Sequence, residues 1–393
     1  MTQRTPYAAI SGLGFSTISR DYIGTSRDLA IEAIVGAVED SGLSLGALDG
    51  LMICKSPSAL LSDLPLRLRM DLSLGDLTLL GELEIEGASV VGSIQQASLA
   101  IRHGMARTVA CVFADAPLLP GRETGSTSYN RVMQLSGLGE WEGQYGMYGA
   151  VGPYALAAQR YLTTYGLADD AFGHYAVACR RWASLSDRAV LREPIDMDDY
   201  RKSRSIVSPF RVLDCAYPVN GAIAIILVSA ECARELAQPP VYVHGFAQGH
   251  AATRHFTGED AELTNGAAIA AAGLWKMTGL GPSDVGMAQI YDAFSYVGLQ
   301  ALEDYGFCPR GQACDFVAAG ETSPGGSVPV NTGGGHLSGY YLQGMTPVSE
   351  AVIQARGAGG ARQSHKNKTI LVTGCGGRLD YHAALLLGTE QQL

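Results

Sequence analysis

Charge is scarce in this sequence, and positive charge is scarcer. Only 17% of the 393 residues are charged, with 28 Lys and Arg against 38 Asp and Glu, for a net charge of −10. Neutralising many nucleic-acid phosphates takes a dense basic face, so nucleic acid is not expected as a partner. Long apolar runs are missing too. The longest, around Ala222 to Ala230, is about half of the roughly 20 residues that a membrane-spanning helix requires, so no membrane span is expected. The opening Met-Thr-Gln-Arg-Thr-Pro-Tyr lacks the apolar core of a secretory signal, which predicts a cytoplasmic protein. Eight cysteines lie scattered between Cys54 and Cys375 without a closely spaced framework, so they read as free thiols. The tight pair Cys308 and Cys314 flanks a Pro-Arg-Gly turn and has no second Cys or His pair beside it, so no structural zinc or other metal site is expected.

Apolar residues and glycine are plentiful. At 47% hydrophobic, 393 residues suffice for two sizeable cores, too apolar a chain to be disordered. Glycine takes 49 positions, against a usual share of about 7%, so many segments need positive φ or close backbone approach.

Strand and helix signals alternate. Tyr7 to Phe15 reads as a strand, and Ser26 is placed to cap a helix whose apolar residues Leu29, Ile31, Ala33, Ile34 and Val38 share one side. The helix exits at Ser41-Gly42-Leu43 and Gly50 to Ile53 resumes a strand. The same order recurs later. Pro240 to Gly245 is followed by Ala267 to Met277, then Thr278-Gly279-Leu280, then Val285 to Ile290. Likewise Gln96 to Gly104 precedes the strand Thr108 to Phe113, and Ser349 to Gly357 precedes Thr369 to Val372. Self-similarity at this scale predicts a duplicated, layered α/β fold, with halves at 1–236 and 237–393. Residues 116–208 have less regular periodicity and read as a loop insertion in the first half, of the kind that covers a binding site.

Four blocks carry the chemistry. Ile85-Glu86-Gly87-Ala88-Ser89 precedes a helix running to His103, which sets Ser89 near helix N-terminal dipoles. Tyr291-Asp292-Ala293-Phe294 ends a strand, and Asn331 through Gly333-Gly334-Gly335-His336 to Tyr340-Tyr341 leads into a further helix. Gly374-Cys375-Gly376-Gly377 follows a third strand. Loops at the ends of parallel strands are where α/β proteins gather their chemistry. The glycine run lacks the G-x-G-x-x-G spacing, so no nicotinamide site is expected. Ser89 has a plain reading as a helix cap, Asp292 as a cap of the helix begun at Ala293, and His336 is open between touching substrate and bonding to backbone.

These blocks, with Ser203 to Phe210, Asp214-Cys215 and Asn220 to Ala224 between them, resemble the thiolase superfamily over nearly the whole chain, in its sterol-carrier-protein thiolase branch. The resemblance implies a five-layered α/β/α/β/α fold, a homodimer and acyl-coenzyme A substrates. The nucleophilic Cys of that family is replaced by Ser89, a far weaker nucleophile near neutral pH. The His of the Gly-His-Pro block matches Tyr341 and that of the His-Asp-Cys-Phe block matches Tyr291. This pattern looks like the thiolase-like aldolases that remove steroid side chains. What it implies is a lyase that splits a β-hydroxyacyl-coenzyme A by retro-aldol cleavage into a ketone and a shorter acyl-coenzyme A. Tyr341 and Tyr291 would move the protons. Ser89 and Gly377 would offer backbone N–H groups to the thioester oxygen, with His336 and Cys375 also facing substrate, Cys375 sitting close to the family's acid-base Cys. No cofactor is held permanently, coenzyme A being part of the substrate. The resemblance further implies a small OB-fold partner with a zinc ribbon, assembled two plus two. An acyltransferase, or a non-catalytic acyl-coenzyme A-binding subunit, remain the rival readings.

Overall fold

The computed structural model describes residues 5–58, 64–121, 143–147, 149–251, 263 and 265–392. In chain order the strands are β1 (Ala8–Phe15), β2 (Gly50–Cys54), β3 (Leu79–Leu83), β4 (Thr108–Asp115), a hairpin of β5 (Ser205–Val207) and β6 (Phe210–Arg211), then β7 (Gly221–Val228), β8 (Val241–His250), β9 (Met287–Gln289), β10 (Thr369–Gly376) and β11 (Tyr381–Gly388). All eight residues of β4, of β7 and of β10 are buried. Their near-continuous apolar sequences are what strands covered on both faces require.

The strands join as β3-β2-β4-β7-β1-β8-β11-β10-β9, and this order contains the duplication. The first half runs β3-β2-β4-β7-β1; the second runs Val330-β9-β10-β11-β8, because Val330 pairs in parallel with Ala288 of β9. The strand directions repeat as well. β2 is parallel to β3 and β4, as β9 is to Val330 and β10. β7 is antiparallel to β4 and β1, as β11 is to β10 and β8. The halves meet where β1 pairs antiparallel with β8, Ala8 opposite Val243 and Ile10 opposite Val241.

Alternation along the strands then builds the layers. Ile10, Val109, Ile225, Val243, Val372 and Leu385 point inward onto the helices Ser89–Arg102 and Met345–Ala355, whose Val91, Ile94, Val348 and Val352 complete a central core. On the outer face of the first half, Ala9, Val112 and Ile226 pack on the helix Ser26–Ser41. On that of the second, Leu371, Ala384 and Leu386 lie under the helices Gly266–Thr278 and Ser295–Asp304. The result is the expected α/β/α/β/α stack. Among the described residues, no helix is long and apolar enough to cross a membrane, and no cluster of His, Cys, Asp or Glu is arranged to hold a metal ion.

Glycine sets the outer helices close to the sheet. A Cβ at Gly14 would lie 2.2 Å from both Ala33 O and Ala37 N of the helix Ser26–Ser41, and one at Gly249 would lie 2.0 Å from Gly266 O of its counterpart. Both helices stop on a left-handed glycine, Gly42 at φ 76° and Gly279 at φ 73°, matching positions in the two halves. The cap of the first helix differs from expectation by one residue. Thr25, not Ser26, accepts from Asp28 N and completes a capping box with the Asp28 side chain. Both are capping residue types, and the extended backbone of Thr25 (φ −76°, ψ 160°) decides between them.

The insertion is also more ordered than its periodicity suggests, although residues 122–142 and 148 lie outside the described residues. It contains the helices Val151–Tyr165, Gly173–Ala183 and Met197–Lys202. On Gly173–Ala183 only His174 and Arg181 are not buried. Its apolar run is interrupted by His174, Arg180 and Arg181, and Arg180 is buried all the same, so the sequence reading passed over it.

Replacing Gly14 by Ala should destabilise the protein by about 1–3 kcal/mol through overpacking, while Gly46→Ala, which meets only Ser44 Oγ at 3.8 Å, should stay near neutral. Denaturant unfolding of the two variants checks this, and equal midpoints would contradict it.

Candidate active site

The N-termini of the two central helices meet at the join between the halves. A Cβ at Gly344, just before Met345, would lie 2.9 Å from Val90 Cβ and 3.0 Å from Gly87 O at the start of the helix Ser89–Arg102. Two positive helix ends therefore face one region. Loops leaving β9 and β10 enter the same region and bring the four sequence blocks together.

At the centre, the hydroxyls of Tyr291 and Tyr341 are hydrogen-bonded at 2.8 Å, with the rings edge-on at 6.4 Å between centroids. Tyr291 is the inner member, buried and fixed by donation of its backbone N–H to Thr373 Oγ1 at 3.0 Å. Tyr341 is half-buried and is the outer member. Burial pushes both phenols well above their usual range, and the neighbouring Tyr341 adds to the effect at Tyr291. Two neutral phenols, each able to donate and accept, result. Gly87 makes room for them, since a Cβ there would come within 2.3 Å of Cε2 and Cζ of Tyr291.

His336 packs beneath the pair, its ring edge-on to Tyr291 at 4.6 Å and to Tyr341 at 5.1 Å. It is fully buried. Its Nδ1 lies 3.1 Å from Asp292 N and 3.0 Å from Asp292 Oδ1, and its Nε2 lies 2.8 Å from Gln343 O. Both ring nitrogens are thus engaged by the protein, the backbone-bonding alternative of the two open for this residue. Asp292 does not cap a helix. Phe294 holds the position before Ser295, and the Asp292 carboxylate instead accepts His336 N–H at 2.8 Å and Tyr175 O–H at 3.4 Å. Asn331, in the left-handed region at φ 52°, stitches this shell with Oδ1 accepting Ile290 N–H at 2.6 Å and Nδ2 donating to Tyr175 Oη at 3.1 Å.

Ser89 has neither a nucleophile's geometry nor a cap's. It is fully buried, its hydroxyl accepts Ile85 N–H at 2.8 Å, and its own N–H donates to Glu86 O. Gly377 N–H is also taken, donating to Glu86 Oε2 at 2.7 Å. Glu86, in the block but given no role from sequence, therefore occupies both backbone donors expected for the thioester oxygen. Its exposed side chain reaches Gly377 because Glu86 sits in the left-handed region at φ 47°, a conformation no sequence period reveals.

Cys375 lies in the same cluster with its thiol 3.9 Å from the hydroxyl of Tyr154. Burial pushes this thiol well above its ordinary value, so it stays protonated and poorly nucleophilic. Tyr154 is a third phenol of the site, also raised by burial. It comes from the insertion, on the helix Val151–Tyr165, where one tyrosine among 18 carries no local signal.

Comparison with known proteins places this arrangement. The family described as thiolase C-terminal domain-like matches residues 247–389. A steroid side-chain-cleaving aldolase of Thermomonospora curvata is 32% identical over 377 residues, covering 94% of this chain and 95% of that protein. A 17-hydroxy-3-oxo-4-pregnene-20-carboxyl-CoA lyase of Mycobacterium tuberculosis is 31% identical over 358 residues, covering 89% and 92%. Among solved structures, the Ltp2-ChsH2(DUF35) aldolase superposes with a TM-score of 0.87 at 32% identity, covering 98% of each chain. The human mitochondrial 3-ketoacyl-CoA thiolase, at 14% identity and a TM-score of 0.70, shares the fold. With its duplicated sheet, its phenol pair and these relatives, the chain belongs to the thiolase superfamily, in the group of steroid side-chain-cleaving aldolases.

Proposed function

We propose that this chain is a carbon–carbon lyase that cleaves a β-hydroxyacyl-coenzyme A, of the steroid side-chain class, by retro-aldol reaction. The observation that carries this reading is the 2.8 Å hydrogen bond between the buried hydroxyls of Tyr291 and Tyr341, in a site whose nucleophile position holds a serine bonded to its own loop. Retro-aldol cleavage needs a proton taken from the β-hydroxyl and one delivered to the α-carbon, and it needs no covalent acyl-enzyme. A bonded phenol pair does the first two things. The phenol that receives the hydroxyl proton passes its own across the 2.8 Å bond, so neither ring need ionise first. Tyr341, the outer member, meets substrate; Tyr291 lies behind it. As the carbon–carbon bond breaks, charge gathers on the thioester oxygen, where two helix N-termini stabilise it, joined by the N–H of Gly377 once that donor leaves the Glu86 carboxylate it holds at rest.

The relatives support the substrate class. The name of the Mycobacterium tuberculosis protein places a hydroxyl and a coenzyme A thioester on one steroid skeleton. Coenzyme A enters only as part of the substrate. The paired name of the Ltp2-ChsH2(DUF35) aldolase supports a small second subunit. We place it with this chain as an OB-fold, zinc-ribbon protein in a two-plus-two assembly about a homodimer, and the whole in the cytoplasm. The acyltransferase reading would need a thiolate in the cluster, and burial of Cys375 works against one. His336 acts by holding the two rings, and Cys375 and Tyr154 form the wall beside them.

Wild-type protein, alone or with such a partner, should release a ketone and a shorter acyl-coenzyme A from a steroid β-hydroxyacyl-coenzyme A, read by mass spectrometry. Tyr341→Phe should lower kcat by about 100- to 10,000-fold with an unchanged melting profile. Absence of cleavage by the wild type, or full activity of the variant, would overturn the reading. Native protein treated briefly with iodoacetamide near neutral pH should be alkylated at the exposed Cys232 and spared at Cys375; fast labelling of Cys375, or an acyl group trapped on it, would favour the acyltransferase instead.

A further inference from the structure

Two neutral phenols can conduct a proton from the β-hydroxyl toward the α-carbon, but neither is a group on which that proton can rest between the two transfers. When the β-hydroxyl becomes a ketone its proton leaves, and the carbon–carbon bonding pair moves onto the α-carbon as a thioester enolate. Until that carbon is protonated, the proton that left the substrate rests on the protein's own groups. A neutral phenol that kept it would become an oxonium, a strong acid. A carboxylate takes it readily.

Glu86 is placed for this task. Its carboxylate rests on Gly377 N–H at 2.7 Å, and the next residue, Gly87, packs directly on the hydroxyl end of the Tyr291 ring. A Cβ at Gly376 would lie 2.6 Å from Glu86 Cβ, so the loop is pressed between the strand carrying Cys375 and the phenols. The left-handed backbone at Glu86, φ 47°, is uncommon for a residue with a side chain and is the kind of strain that collects at functional sites. Its negative charge is felt at Tyr341, Tyr154 and Cys375, opposing ionisation of all three.

We propose that Glu86 is the general base of the site: substrate displaces its carboxylate from Gly377 N–H, and the freed carboxylate takes the β-hydroxyl proton through Tyr341. This rests on the aldolase reading above and adds to it the group that holds the proton between the two transfers. The β-hydroxyl gives its proton to Tyr341, whose own proton passes to Glu86. The carbon–oxygen double bond of the ketone forms as the carbon–carbon bond breaks. The carboxylic acid of Glu86 then returns the proton through the phenols to the α-carbon, regenerating the carboxylate. Nothing is oxidised or reduced. The same movement frees Gly377 N–H for the thioester oxygen, so arrival of substrate creates both the base and the oxyanion donor.

Asp115 acts on Tyr341 more strongly than Glu86 does, but it is a poorer base. It is buried, and its Oδ1 already accepts from Ser56 Oγ at 2.9 Å, from Ser58 Oγ and from Ala116 N at 3.0 Å. Glu86 is exposed and moves without repacking the core.

The test compares wild type, Glu86→Gln, Glu86→Ala and Glu86→Asp, in the full chain with its small partner if activity requires one, on a β-hydroxyacyl-coenzyme A that the wild type cleaves. Glu86→Gln keeps the shape and the acceptor for Gly377 N–H but not the base. Its kcat should fall about 100-fold or more with KM within about threefold of wild type, Glu86→Ala should fall as far, and Glu86→Asp should recover part of the rate. A Gln variant with kcat within about threefold of wild type overturns the proposal while leaving the aldolase reading intact. So does an Ala variant whose KM improves at unchanged kcat, since Glu86 would then merely occupy the donor. A wild-type protein that cleaves no such thioester overturns the aldolase reading and this proposal together.

Discussion

One hydrogen bond organises this site: 2.8 Å between the hydroxyls of Tyr291 and Tyr341. Its value comes from burial. An exposed phenol exchanges protons with water and can ionise at high pH, whereas these two are held neutral by desolvation. Each then offers one O–H donor and one acceptor in a fixed direction, the requirement for passing a proton rather than storing charge. The surrounding structure serves that direction. His336 is edge-on to both rings, and it is held by Asp292 and Gln343. Gly87 leaves the inner ring room that any side chain would take.

The fold brings these parts together because it is duplicated. Each half places the N-terminus of one central helix at the join between them, so the first half supplies Glu86 and Gly87 while the second supplies Tyr291, Tyr341 and Gly377. A single α/β half would present one helix end. Two ends directed at one region favour a developing enolate more than one does, without any mobile positive charge that would have to be paired when the site is empty. Such fixed backbone dipoles suit a chain in which only 17% of residues are charged.

Much of this was legible in the sequence, for particular reasons. The helices that end at Gly42 and Gly279 revealed the duplication because a left-handed exit requires the same residue type wherever it recurs. Tyr291 and Tyr341 were found because they stand where the blocks of the thiolase family carry histidines, a resemblance and not a local signal. Glu86 was not assigned, since the direction of its side chain follows from a backbone φ of 47° rather than from any spacing. Tyr154 was hidden because it comes from an insertion helix, 65 residues beyond Ser89, the nearest of the four blocks, and the neighbouring helix Gly173–Ala183 is buried on most sides. The expected backbone donors at Ser89 and Gly377 are present, but their N–H groups are spent on Glu86. A sequence shows where donors are; it does not show what they hold at rest.

Loss of the nucleophile alone would leave an inert thiolase fold, and the site goes further in closing the covalent route. The Ser89 hydroxyl is bound to Ile85 N–H at 2.8 Å, and the neighbouring thiol, Cys375, is pushed up by burial and lies against Tyr154. With imidazole engaged on both nitrogens as well, these three groups, the hydroxyl, the thiol and the imidazole, are not poised to attack a thioester carbonyl. That matters chemically, because a nucleophile beside an acyl-coenzyme A would divert substrate into a stable acyl-enzyme before the slower carbon–carbon scission took place. A weaker set of polar groups, each tied to the protein until substrate arrives, is therefore better suited to a retro-aldol reaction than a stronger one.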